Sequence, residues 1–276
     1  AGKFGYQAGL RGEYTDRLVE TADDERFSID RSDLFPTAHF SYHVSDQDQV
    51  MTSYARRIER PRGWYLEPFE TWTDAYNVRV GNPDLQPEYI DSYEISYQKR
   101  INRSMFSAEL YHRLTKNKIE RVQSVYAENI TLHSTANIGT ERNFGTELML
   151  NMKPLKKWSF SISANIFDYE VEGELNGENF SNQSSNWSGR LNNDFQLKDE
   201  IRFQINGFYV SESASSQGHS AAYSTVDVAL KYEVIPKMLS ATFQIRDILQ
   251  TGNHKNTSQS LRFYNYNHVN RNAPVY

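Results

Sequence analysis

The chain has 276 residues, no cysteine and a net charge of −5, from 30 basic and 35 acidic side chains. Without cysteine there is no disulfide framework, thiolate metal site or cysteine nucleophile, and the acidic balance argues against a nucleic-acid partner. Hydrophobic residues make up 38 % and aromatics 13 %, with 18 Tyr and 15 Phe, a mixture that suits many two-faced strands better than one packed core.

From the N-terminus onward the dominant pattern is period two. Phe4, Tyr6, Ala8, Leu10 and Tyr14 oppose Lys3, Gln7, Arg11 and Glu13. The chain therefore opens directly on strand, with no secretory leader, and reads as a mature or partial chain or as a cytosolic one. Further on, Trp158, Phe160, Ile162, Ala164 and Ile166 alternate with Ser159, Ser161, Ser163 and Asn165, and Ile201, Phe203 and Ile205 alternate with Arg202, Gln204 and Asn206. Trp187, Leu191 and Phe195 oppose Arg190 and Asp194, while Val226, Val228, Leu230, Tyr232 and Val234 oppose Asp227, Lys231 and Glu233. The predicted strands are 1–15, 33–45, 47–58, 89–101, 103–120, 138–152, 157–172, 183–198, 200–213, 220–234 and 237–248, with a twelfth from Asn272.

These strands are longer than the roughly 5–6 residues usual in soluble sheets and match the about 9–11 residues that cross a bilayer at a tilt. No apolar run is long enough for a membrane helix. The connections alternate in length. Short turns fall near Asp46, Asn102, Leu155, Asp199 and Pro236, and long polar stretches cover 16–32, 59–88, 121–137, 173–183, 214–220 and 249–271. All short turns would thus lie at one end and all long loops at the other, as in outer-membrane barrels. The expected fold is all-β, a transmembrane antiparallel up-and-down β-barrel with about 12 strands present. An open edge is not tolerated in lipid, so either these strands close on one another or they complete a larger barrel.

One punctuation mark stands out. Gly81-Asn82-Pro83-Asp84-Leu85-Gln86-Pro87-Glu88 carries two prolines, which rule out a helix interior and delay strand pairing until Glu88. With the strand that follows, it resembles the GNP-x-L-x-PE signature of TonB-dependent outer-membrane receptors. Phe35-Pro36 with Ser53-Tyr54-Ala55-Arg56-Arg57-Ile58-Glu59-Arg60-Pro61 and Glu67-Pro68-Phe69 resemble runs of the Bacteroidota-type members. Asn143-Phe144-Gly145-Thr146-Glu147 and Phe243 to Ile248 extend the likeness over most of the chain. In that family Gly81, Asn82, Pro83, Leu85, Pro87 and Glu88 would be structural residues that return an extracellular loop to its strand.

The resemblance implies a 22-stranded barrel, of which residues 1–276 would be the C-terminal part, strands 11–22. The plug domain and the first ten strands would lie outside this sequence. It further implies active transport of a scarce or bulky solute: an iron chelate, a glycan, a peptide or a cobalamin-like compound. The alternative is a barrel without flux that scaffolds a surface lipoprotein. Implied partners are outer-membrane lipid and lipopolysaccharide, the plug and the other barrel half, and the inner-membrane TonB complex acting through the plug. No cofactor is expected.

Trp64, Tyr65, Trp72 and Tyr76 crowd the stretch ahead of Gly81, with Arg57, Arg60, Arg62 and Arg79 nearby. Aromatics that stack and arginines that grip anions suit ligand capture at a pore mouth, making Arg62, Trp64, Tyr65, Trp72, Tyr76 and Arg79 the candidate binding set. Packing within the loop is the bland alternative. Arg190, Asp194, Arg202, Asp227, Lys231 and Glu233 fall on polar strand faces, which in a barrel line the lumen. His39 and His43 sit four apart on one strand, roughly 13 Å at about 3.3 Å per residue, too far to share a metal. Asp23-Asp24-Glu25 lacks the spacing of a calcium loop. No nucleophile elbow, P-loop or HExxH motif occurs, so an enzyme is not expected.

Overall fold

The computed structural model of the protein describes residues 2–20, 24–175, 177–259 and 264–269. Asp23 and the strand expected from Asn272 lie outside them. The chain begins with β1 (Phe4–Glu20), β2 (Arg26–His43) and β3 (Asp48–Glu59). A connection with a 3-10 turn, η1 (Gly63–Tyr65), and a small hairpin, β4 (Thr71–Asp74) and β5 (Asn77–Arg79), leads to β6 (Glu88–Ile101) and β7 (Ser104–Lys116). A second hairpin, β8 (Ile119–Ala127) and β9 (Ile130–Asn137), precedes β10 (Gly139–Leu155), β11 (Trp158–Leu175), β12 (Glu178–Gln196) and β13 (Ile201–Val210). Then come β14 (Ser213–Ala214), β15 (Gly218–Ser220), β16 (Tyr223–Ile235), β17 (Leu239–Ile245), β18 (His254–Gln259) and β19 (Tyr264–Val269).

Eleven strands form one up-and-down antiparallel wall, in the order β1-β2-β3-β6-β7-β10-β11-β12-β13-β16-β17. They are the eleven expected from period two. Among the described residues β1 and β17 are the two edges of this wall. The register shows why the pattern specifies it. Tyr6, Phe40, Thr52, Ile95, Leu110, Thr146, Ile166 and Trp187 lie opposite one another in a single row across eight strands. The large side chains of that row are exposed, from Tyr6 at 84 % to Leu110 at 45 %. A contiguous apolar face of this extent is untenable in water and is what a bilayer covers. A one-residue slip anywhere would turn a strand's apolar set inward, so the lipid enforces the register.

Aromatic rings mark both margins of the band. Trp158 stacks on Phe195 with centroids 6.0 Å apart, and Phe195 on Phe203 at 6.3 Å. At the other margin Trp187 stacks on Tyr209 at 4.1 Å. From Trp187 to Phe195 the strand runs roughly 26 Å at about 3.3 Å per residue. Tilted by about 35–45°, it spans roughly 19–22 Å of the about 25 Å apolar height of such barrels.

Above the band the alternation inverts. On β11 the outward series Ile162, Ala164, Ile166 continues as Asp168, Glu170 and Glu172, which pair outward with Ser185, Gln183 and Ser181. The inward positions become Tyr169 and Val171, and Val171 is completely buried with Val122 and Ile138. Water now lies outside the wall and a packed loop hairpin inside it. This explains two differences from the sequence reading. Residues 16–32 and 173–183 are not long loops; β1 and β2 extend to Glu20 and Arg26, and β11 and β12 to Leu175 and Glu178. Their ladders continue without an outward apolar face, so the membrane pattern stops before the strand does. Close packing sets the crossing there. Gly139 has φ +132°, and a Cβ on Gly173 would meet the Ile138 carbonyl, so both positions need glycine.

The opposite end carries only tight turns. Ser45 Oγ accepts the amides of Gln47 and Asp48 and donates to Asp48 Oδ2 at 2.7 Å. Asn102 and Lys237 take left-handed φ values of +53° and +62°. These local bonds close each hairpin without further residues.

Candidate functional site

The long connections fold into two small sheets. β5 pairs in parallel with β9, Asn77 opposite Thr131, Val78 opposite Leu132 and Arg79 opposite His133. This joins the connection before β6 to the one before β10 in the order β4-β5-β9-β8. The second sheet has the order β14-β15-β18-β19. The two meet where Gln123 donates its amide to Gln217 Oε1 (2.8 Å) and accepts from Gln217 Nε2 (2.9 Å).

The proline-bracketed signature anchors this assembly. Leu85 is fully buried, and Pro83, Pro87 and Glu88 are buried beside it. Gly81 donates its amide to the Glu67 carbonyl at 2.8 Å, an approach any side chain on Gly81 would obstruct. Asn82 folds into a local turn, its Oδ1 accepting the Asp84 amide at 3.0 Å. Arg17 of β1 donates to the carbonyls of Pro83 (3.1 Å) and Leu85 (3.0 Å). Asn137 brackets Gln86 reciprocally, accepting its amide at 2.8 Å and donating to its carbonyl at 2.9 Å. Glu88 Oε1 accepts the Ile119 amide at 2.6 Å and lies 3.6 Å from Lys118 Nζ. The eight residues thus bind β1, β8 and β9 to the mouth of the wall.

Burial alone would lower Lys118, but the carboxylates of Glu141 and Glu88 outweigh it and hold the ammonium above its ordinary value. Glu120, beside them on β8, is pushed up by burial, against the Ser216 amide that donates to it at 3.3 Å. Its raised pKa means that the folded loops resist ionisation more than the unfolded chain does. Their stability therefore falls as pH climbs above the ordinary carboxylate range. Glu120→Gln keeps the acceptor and removes the charge. At pH 7 to 8 it is expected to raise the temperature at which loop amides lose exchange protection, with the difference vanishing near pH 4. Lower protection in the variant at neutral pH would contradict this.

Between the 3-10 turn and the β5–β9 seam lies an open cavity of about 460 Å³, lined by Trp64, Tyr65, Asp74, Arg79, Arg121 and His133 among others. Trp64 and Tyr65 meet edge to face at 4.1 Å. The guanidiniums of Arg79 and Arg121 lie 5.0 and 5.2 Å from the Trp64 ring. Asn77 Nδ2 donates to both oxygens of Asp74 at 2.9 Å, so its Oδ1 is an acceptor. His133 Nε2 must then be the protonated nitrogen of the 2.9 Å contact between them, leaving Nδ1 as an acceptor. Burial pulls His133 below its ordinary value, against the opposing charge of Asp74. Its neutral ring is the resting form.

Of the six candidate binding residues, this brings together Trp64, Tyr65 and Arg79. Arg62 precedes the 3-10 turn and is not among the lining residues. Trp72 lies opposite Val78 in register, one position from the Arg79–Thr71 pair. Alternation sends it to the other face, where it meets Tyr126 edge-on at 5.8 Å. Tyr76 is 65 % exposed at the hairpin turn. Arg121 and His133 were missed because 121–137 reads as a polar connection. The available signal was Glu128-Asn129, a two-residue turn with Asn129 at φ +61°, flanked by alternating residues.

The six charged wall residues share the polar parity of their strands. Arg190 lies over Phe208 at 5.4 Å. Asp194 accepts from Gln204 at 2.9 Å and lies 3.5 Å from Arg202. Arg202 lies opposite Lys231 in register, and Glu233 follows Lys231 on the same face. Asp227 accepts the Asp247 amide at 2.8 Å, bracing the chain after β17. His39 and His43 are on the polar parity of β2, and among the described residues no group of three metal-binding side chains forms.

An apolar outer face, margins of aromatic rings, tight turns at one end and folded loops at the other define a membrane-embedded β-barrel wall. Residues 1–276 match the model of the outer membrane protein beta-barrel family, and the chain belongs to that family. Its place is the outer membrane of a Gram-negative envelope. A sequence search of curated proteins finds no match. Among solved structures it is similar to the siderophore receptor PiuA from Acinetobacter baumannii, with TM-score 0.68 and 16 % identity over 97 % of this chain and 39 % of that one. It is also similar to the siderophore receptor PirA from Pseudomonas aeruginosa (TM-score 0.61, 15 % identity, 88 % of this chain, 46 % of that one). The ferric-catecholate import receptor Fiu from E. coli K12 gives a TM-score of 0.62 at 14 % identity, over 98 % of this chain and 41 % of that one. All three are receptors, not enzymes, and the chain spans less than half the length of each.

Proposed function

We propose that the chain is the C-terminal part, strands 11–22, of a TonB-dependent receptor of the Bacteroidota type, one that imports an iron chelate. What carries this reading is the cavity made by fusing two loops across the β5–β9 seam, set above a wall shared with siderophore receptors. Trp64 and Tyr65 supply flat apolar contact and Arg79 and Arg121 supply charge. The polar inner face, with Arg190, Asp194, Arg202, Asp227, Lys231 and Glu233, braces a plug that the inner-membrane TonB complex displaces. Lipopolysaccharide surrounds the loops.

The test uses the full-length receptor in cells starved of iron. Trp64→Ala removes a cavity wall, an anchor of a kind worth about 2–4 kcal/mol, and is expected to lower chelate uptake at limiting concentration at least tenfold. Trp72→Ala, on the other face of its hairpin, is expected to change uptake less than twofold. Both should assemble with the heat-modifiable gel shift of a folded barrel, and uptake should vanish without TonB. A scaffold that only holds a surface lipoprotein would show no TonB-dependent uptake in any of these strains.

A further inference from the structure

On the outer face of the wall four rings stand in one register row. Tyr54, Tyr93, His112 and Phe144 lie opposite one another across β3, β6, β7 and β10. Ring centroids are 5.0 Å apart between Tyr54 and Tyr93, 6.2 Å between Tyr93 and His112, and 6.5 Å between His112 and Phe144. The row caps the apolar band at its loop end, where aromatic rings settle between hydrocarbon and headgroups. A hollow lies on each side of it. Below, toward the hydrocarbon, is one of about 430 Å³ lined by Ala38, Phe40, Thr52, Ile95 and Leu110 among others. Ala38 and Thr52 are short side chains between larger ones, and their shortness opens it. Above is one of about 580 Å³ lined by Arg142, Asp168, Glu170, Gln183 and Ser185 among others. His112 and Phe144 border both, so the two form one furrow, apolar in the bilayer and charged above it.

The charged half is unevenly committed. Arg142 Nη1 lies 2.7 Å from Glu172 Oε1 and 3.8 Å from Glu170 Oε2, and among the described residues the rest of its fork is unbonded. Asp168 accepts from Ser185 Oγ at 2.6 Å, and among the described residues no cation pairs with it. Lys116, one row above Arg142 and opposite Thr140, is the second outward cation here. Asp168, Glu170 and Glu172 thus face Arg142 and Lys116, three carboxylates against two cations. A phosphate alone would add to the negative surplus, while an ammonium alone would leave the guanidinium edge unused. Arg142 and Asp168 are diagonal neighbours across β10 and β11, about 7–8 Å apart. A phosphate and an ammonium joined by two carbons can bridge that span. We infer that the furrow holds one membrane phospholipid with an ethanolamine headgroup. Its acyl chain lies in the lower hollow, its phosphate on Arg142 and its primary ammonium on Asp168. The carboxylate selects this ammonium over a quaternary one, because only the primary amine donates charge-assisted hydrogen bonds. The site lies on the outer wall, so it needs the wall's orientation in the bilayer and not the import reading.

The experiment equilibrates the full-length receptor in detergent with phosphatidylethanolamine, phosphatidylglycerol or phosphatidylcholine of identical acyl chains. Native mass spectrometry counts the lipid retained. The wild-type receptor is expected to keep one phosphatidylethanolamine and to hold the other two about tenfold or more weakly, the cost of a missing charge-assisted bond. Asp168→Asn should weaken phosphatidylethanolamine about tenfold and abolish its advantage over phosphatidylcholine. Arg142→Gln should weaken all three, because the phosphate is common to them. Asp199→Asn, at a tight turn of the opposite end and paired only with Lys157 at 3.7 Å, should change nothing. Arg142 is a partly exposed side chain outside the packed loops, so the variants should retain the folded gel shift. Equal wild-type retention of the three lipids, or Asp168→Asn without effect, would overturn the inference. So would displacement of phosphatidylethanolamine by an equal concentration of lipid A, which would give the furrow to lipopolysaccharide instead. Each of these failures leaves the import reading untouched.

Discussion

Leu148→Arg is expected to destabilise the assembled barrel by about 2–4 kcal/mol, and Met149→Arg, one residue along β10, by less than about 1 kcal/mol. The two side chains are similarly exposed, 38 % and 44 %. They differ in what covers them. Leu148 lies opposite Ala108 and Ala164 on the apolar face, whereas Met149 lies between Ser107 and Ser163 on the polar one. An arginine in hydrocarbon loses its hydration, while one in a water-lined lumen keeps it. Urea unfolding of the full-length protein in lipid vesicles reads the difference. Equal costs would mean that the apolar face meets protein, and the membrane orientation would be wrong.

Leu85→Ala should act on the loops and leave the wall alone. Leu85 has no exposed surface, and truncating such a residue leaves a cavity worth about 2–5 kcal/mol. The loss falls on the unit that the signature joins: Arg17 on its carbonyls, Asn137 around Gln86, and Glu88 at the start of β8. Such a local loss raises the open population about thirtyfold or more. Protease added to vesicles of the full-length receptor should therefore cut within 60–87 and 117–138 far faster in the variant. The folded gel shift should be unchanged. Unaltered cleavage would show that the loops are held by the β5–β9 seam alone.

The eleven wall strands were legible because their cause is local. A strand with lipid on one side and water on the other must alternate at every residue, as Trp158 to Ile166 and Tyr223 to Val234 do. The five tight turns were legible for the same reason, being made by residues such as Asn102 that need no distant partner. Above the bilayer that constraint lapses. On β11 the apolar parity passes from Ile166 to Tyr169 and Val171, and nothing within a short window says what those side chains pack against.

The candidate set divides along the same line. Trp64, Tyr65 and Arg79 could be named because they cluster in sequence. Trp72 was included for that reason too, and the pairing of β4 with β5 sends it to the face away from the cavity. Arg121 and His133 join the cavity only because Arg79 and His133 lie opposite one another in the parallel seam. The sequence by itself determined the strands of the wall, its tight turns and the signature that ends the loop, because each follows from neighbours along the chain. The tertiary structure alone decided the cavity, because its walls come from two loops whose pairing depends on contacts between residues more than fifty positions apart.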